Sequence, residues 1–132
     1  MRRVALALAA IVLTGCGTAS PDLFEVRRTG EDRAANLTLV VNDGGRVTCN
    51  GASHELDADR LLRARGLARS LAQPAEVGLE LPPGPSANLS YRVRLEAGSV
   101  SFSDTSRGNP QAFNQLAAFT KDVAERVCGI VR

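Results

Sequence analysis

Residues 89–96 constrain this chain more than any other stretch, because apolar and polar residues alternate there without a break. Leu89, Tyr91, Val93 and Leu95 fall on one side, and Ser90, Arg92, Arg94 and Glu96 on the other. Successive side chains of a strand point to opposite faces, so the pattern predicts a strand with one buried and one wet face. Such a strand needs antiparallel neighbours and a second layer over its apolar side. Ala97-Gly98 turns the chain, and residues 99–103 return with Val100 and Phe102 inward. The same rhythm occurs earlier. Residues 23–28 put Phe24 and Val26 on one face, Glu25 and Arg27 on the other, and residues 37–42 align Leu37, Leu39 and Val41. Asn42-Asp43-Gly44-Gly45 tolerates positive φ and predicts a hairpin turn, after which Val47 and Cys49 point together.

Two helical stretches supply the cover. Asp57 is a fitting N-cap, Leu56 can staple onto Leu61, and Leu61, Ala64, Leu67, Ala68, Leu71 and Ala72 form one apolar stripe that Gln73-Pro74 should end. Asn109-Pro110 predicts a second start, with Asn as cap and Pro at the first helical position. Phe113, Leu116, Ala117, Thr120, Val123, Ala124 and Val127 then recur at steps of three and four. Between the helices, Pro82-Pro83-Gly84-Pro85 reads as a stiff surface connection. The expected fold is a single α+β domain over residues 23–132. It has an antiparallel five-stranded sheet in the order β-ββα-ββα, a pseudo-repeat, with both helices packed on one face.

The N-terminus reads as an address. Arg2 and Arg3 precede ten unbroken apolar residues at 4–13. As a helix that run is about 15 Å long, half a bilayer core, which suits a signal peptide over 1–15 and not a membrane span. Leu13-Thr14-Gly15-Cys16 resembles a bacterial lipobox, in which the Cys thiol takes a diacylglyceryl group and small residues precede the cleavage. Two or more acyl chains such as palmitate give stable anchoring where one gives marginal binding. Cys16 is therefore the expected lipidated residue, and residues 16–22 the lipidated Cys with a short tether. The expected location is the outer, extracytoplasmic face of the bacterial cell membrane.

Removing residues 1–15 lowers the basic count from 16 to 14 and leaves the acidic count at 14, a net charge of zero. A nucleic-acid binder needs a clustered basic excess, so that class is set aside. Of three cysteines, Cys49 and Cys128 remain after lipidation. An even pair in an exported domain predicts a disulfide, the alternative being two buried thiols. Cys128 lies on the inner edge of its helix and Cys49 on the inner face of its strand, so the two are placed to meet. Their spacing excludes a CxxC redox site and a zinc ribbon.

Catalytic chemistry is sparse. His54, the single histidine, is expected in a surface loop, with no second imidazole to make a metal site. Glu55, Asp57 and Asp59 suit a helix start better than a cation loop. Asp104-Thr105-Ser106 follows a strand and fits turn chemistry. No base–nucleophile pair is visible, so neither enzyme activity, cofactor nor metal is expected. One surface stands out. Glu25, Arg27, Thr38, Arg46, Thr48, Arg92, Arg94, Ser101 and Ser103 should share the outer sheet face, and Arg27, Arg46, Arg92 and Arg94 form the candidate interaction surface.

Two resemblances follow. "SPDLF" at 20–24, "LTLVVNDGG" at 37–45, "VTCNG" at 47–51, "YRVR" at 91–94 and "VSFSDTS" at 100–106 resemble small lipoproteins of actinobacteria. This implies an envelope location and the Cys pair, and carries no activity. An opening strand ending in Arg28-Thr29-Gly30, a middle helix, a Tyr-containing strand and a closing helix are similar to emfourin, an inhibitor of thermolysin-type metalloproteases. This chain has Gly30-Glu31-Asp32 where that family has Gly-Gly-Phe. The expected role is a monomeric, membrane-anchored binding or accessory module with an envelope protein as partner. The alternatives are a protease inhibitor of emfourin type and a structural lipoprotein contacting headgroups. Cys16→Ala is expected to release the protein from membranes or block its processing; unchanged membrane fractionation of that variant would contradict the lipobox reading.

Overall fold

The computed structural model describes residues 21–132, so the expected signal peptide, Cys16 and most of the tether lie outside the described residues. Strands β1 (Asp22–Gly30), β2 (Leu37–Asn42), β3 (Arg46–Cys49), β4 (Ala52–Glu55), β5 (Leu89–Leu95) and β6 (Gly98–Ser103) form one antiparallel sheet. Their order is β4-β3-β2-β1-β5-β6. Helices α1 (Ala58–Glu76) and α2 (Gln111–Asp122) cover the apolar face. The class is α+β, as the periodicity predicts.

The sheet has six strands where the sequence predicts five, and the addition is β4, where the sequence predicts a surface loop around His54. Asn50 and Gly51 both take positive φ, 48° and 88°, and close a two-residue hairpin in which Cys49 faces Ala52. Asn-Gly is the favoured pair for such a turn. Ala52-Ser53-His54-Glu55 shows no apolar alternation because this edge strand is mostly exposed. His54 is half-buried opposite Val47.

β1 occupies the middle of the sheet. Val26 pairs with Leu39 on one side and Val93 on the other, and all three are fully buried. Above them, Phe24 meets Phe119 edge-on at 6.0 Å, while Tyr91, Phe102 and Phe113 stack at 4.9 and 4.7 Å. Offset and edge-on pairs of this kind add to the stabilisation that burial provides.

Helix ends depart from expectation in two places. Asp57 caps α1 as predicted, accepting from the Arg60 amide at 2.9 Å. The helix runs through Pro74 to Glu76. Proline removes only the bond to the Ser70 carbonyl, which sits on an exposed residue that water can serve. Gly78, at φ 64°, makes the stop, its amide bonding the Ala75 carbonyl at 3.0 Å. Asn109 does not cap α2. Its side-chain amide donates to the Ser103 carbonyl at 3.0 Å, and Pro110 holds the cap position. Beyond α2 the chain widens into a π-helical turn, Val123–Val127, and the Cys128 amide bonds the Val123 carbonyl at 3.0 Å.

The proline-rich connection is a strap. Residues 79–81 bridge to Ser101 through two backbone bonds of 2.8 and 3.1 Å, covering the free edge of β6. Gly84 lies so close to Thr105 that a Cβ would fall 1.8 Å from its carbonyl oxygen, so only glycine fits. Ser106 Oγ donates to the Pro82 carbonyl at 2.8 Å. Covering one edge and keeping β4 short leaves little exposed strand for unwanted pairing.

Cys49 and Cys128 form a disulfide with Cα atoms 6.3 Å apart, across 79 residues of sequence. Closing a loop of that length restricts the unfolded chain by about 4 kcal/mol. The double variant Cys49→Ser/Cys128→Ser is expected to lose stability on that scale in urea denaturation of the exported domain; an unchanged midpoint would contradict this account.

Candidate functional site

The site begins with register. β1 and β5 are antiparallel neighbours that both present polar residues outward, pairing Glu25 with Arg94, Arg27 with Arg92 and Thr29 with Ser90. β6 continues the rows with Ser101 opposite Arg92 and Ser99 opposite Arg94. Three guanidiniums and one carboxylate thus converge on one face, flanked by hydroxyls.

Glu25 organises them. Its Oε1 accepts from Arg27 Nε at 2.8 Å, and its Oε2 accepts from Arg94 Nη2. The hydrogen bond from Arg27 holds its carboxyl below the ordinary glutamate range; partial burial opposes this, and the positive charge of Arg94 adds to it. Glu25 is the shielded partner, its side chain 14% exposed against 63% and 72% for the two arginines. Arg92 stands between them, exposed, and has no carboxylate partner among the described residues. The cluster therefore carries a net charge of +2.

The face is concave. One groove of about 400 Å³ is bounded by Glu25, Arg27, Arg92, Arg94 and Ser99. A second, of about 390 Å³, is walled by Leu81 and Pro83 of the strap and shares Arg27 and Arg92 with the first.

Three of the four expected arginines are thus brought together. Arg46 is not with them: it lies on β3, 3.6 Å from Glu55 of β4, with both side chains exposed. Ser103 is also lost from the expected face. The strap buries it, with its Oγ accepting from the Gly84 amide at 3.3 Å and meeting Ser106 Oγ at 3.0 Å.

The other candidates are engaged locally. Asp57 caps α1, and Asp104 Oδ1 accepts from the Asn88 amide at 3.2 Å. Asp122 at the end of α2 gathers Arg60 at 2.8 Å, Arg126 at 3.6 Å and Arg63 at 3.8 Å. The Arg60 hydrogen bond holds its carboxyl below the usual range, partial burial opposing and the other charges assisting. Among the described residues, no group of three His, Cys, Asp or Glu side chains could hold a metal ion.

Arg28 is a buried charge on β1. It shares the inward parity of Phe24 and Val26 and is 2% exposed, with Nε donating to the Ala35 carbonyl at 2.8 Å. Burial lowers the pKa of its guanidinium from the ordinary value, and the neighbouring Tyr91 opposes that shift. The parity of β1 was the available signal.

Comparison with protein-family models, with curated proteins and with solved structures finds no match to this chain. The site stands on its own geometry.

The Glu25 carboxyl is expected to titrate below its ordinary value of 4.5 when followed by NMR, and to move up in Arg27→Ser. Because the folded pKa is depressed, its contribution to stability is complete above the unfolded value and is lost as pH falls through the folded one. Glu25→Gln should therefore show a weaker loss of stability on acidification below pH 4.5 than the parent protein; equal acid sensitivity would contradict the ion-pair geometry.

Proposed function

We propose that this chain is a membrane-tethered binding module of the bacterial cell envelope, and that its outer sheet face receives an anionic group of an envelope protein. The observation that carries this is Arg92. It is an exposed guanidinium set between two grooves, with Arg27 and Arg94 held on either side by one carboxylate. A guanidinium fork pairs with carboxylate or phosphate in two-point geometry. Neighbours already fixed by Glu25 lose less side-chain entropy on binding. Thr29, Ser90, Ser99 and Ser101 add hydroxyls that can donate or accept.

Orientation favours a protein partner over headgroups. β1 starts six residues after Cys16, and Arg27 lies five residues further along. At strand rise that is about 17 Å up from the tethered end. With the strands upright, the arginine face looks sideways along the envelope.

The test uses the lipidated protein in its own envelope, with a photocrosslinking residue at Ser99 or, as a control, at Gln115 on α2. The expected outcome is one protein adduct from position 99, lost in Arg92→Ser and absent from position 115. Lipid adducts alone, or a protein adduct indifferent to Arg92→Ser, would overturn the reading.

A further inference from the structure

A third concavity lies where the chain enters the sheet. Pro21, Leu23, Ala68, Ala72, Leu95 and Ala97 line a groove of about 850 Å³, twice either groove of the outer face. Three local features build it. A register shift between Asp22 and Phe24 takes Leu23 out of the strand alternation. Ala68 and Ala72, one turn apart on α1, are too small to cover Leu23 and Leu95, which stay partly exposed. Gly98 at φ 147° brings the β5–β6 turn against α1, where a Cβ would lie 2.1 Å from the Ala75 carbonyl oxygen, and Ala97 projects beside the groove.

The rim carries charges of both signs. Arg65 is held in place by Asp43, with Nε to Oδ1 at 2.7 Å and Nη2 to the backbone carbonyl at 2.8 Å. Arg69 is exposed and has no carboxylate partner among the described residues, while Asp22 and Glu96 complete the border.

We propose that this groove is the surface on which the domain beds against the lipid leaflet that anchors Cys16, an inference resting on the lipobox reading. Chain length selects the occupant. Pro21 lines the groove and Cys16 lies five residues upstream. Five residues span at most about 18 Å even when fully extended. This pole is held beside the bilayer, and a protein partner would have to enter the gap between them. An apolar floor bordered by both signs of charge matches a zwitterionic interface. Arginine stems lie along apolar surface while their heads reach phosphate, and the acids face the ammonium groups.

The chain has no tryptophan, so Ala97→Trp installs a single fluorescent reporter at the groove. Glu31→Trp places the same reporter in the exposed loop beyond the far end of β1. The lipidated full chain is reconstituted in phosphatidylcholine vesicles with brominated acyl chains, and flotation of each preparation reads the anchor separately. The expected result is co-flotation of both variants, with blue-shifted emission and several-fold stronger bromine quenching for Ala97→Trp than for Glu31→Trp. Flotation with equal quenching of the two would overturn the bedding surface and leave the anchor standing. Failure to float would overturn both.

Discussion

β1 bonds along both of its edges, to β2 on one side and β5 on the other, and buries Phe24, Val26 and Arg28 beneath the helices. Within the described sheet, the β2–β3–β4 meander and the β5–β6 hairpin are joined through it. Each part alone would leave an apolar face and an open edge in water. The first strand of the domain is thus the last piece the sheet can do without. The β1–β5 pairings join Glu25 to Arg94, 69 residues apart, so the sheet closes only after much of the chain is available. Long-range closure of this kind slows folding relative to local pairing.

The same strand sorts its charges by parity. Arg27 points outward to share Glu25 with Arg94, whereas Arg28 points inward to the Ala35 carbonyl. Two adjacent arginines therefore do opposite things. One keeps its charge in water and available, and the other closes the end of the core at the cost of desolvation. On the outer face one carboxylate restrains two of three guanidiniums, and Arg92 has no carboxylate partner among the described residues. That arrangement orders the face without neutralising it.

Much of this was legible in the residues. Alternation placed β1, β2, β3, β5 and β6, and helical spacing placed both helices, because each of these elements buries one side. The facing of Cys49 and Cys128 followed from the same patterns. The remaining features lack such a pattern or depend on distant chain. β4 buries little and so shows no alternation, though Asn50-Gly51 marked its turn. Ser103 has outward parity, and only the strap, some twenty residues earlier, makes it buried. Pro74 looked like a stop because proline costs a hydrogen bond in a helix, yet near the C-terminal end that bond belongs to an exposed carbonyl. The arginine cluster was legible as a face but not as a cluster. Separating Arg46 from the other three required the strand order, which sequence alternation does not encode.

The central position of β1 has a mechanical consequence. Tension that enters at the N-terminal end of the domain and is resisted at Arg92 runs along the axis of β1 and crosses to β5 through the pairs that join them. Load in that direction strains the β1–β5 hydrogen bonds together, as in shear, whereas a strand pulled sideways from a sheet edge peels one bond at a time. The disulfide joins β3 to Cys128, just beyond the π-helical turn, and lies outside the β1–β5 pair. In the proposed arrangement, tethered below and gripped at the side face, the β1–β5 pair acts as the cable.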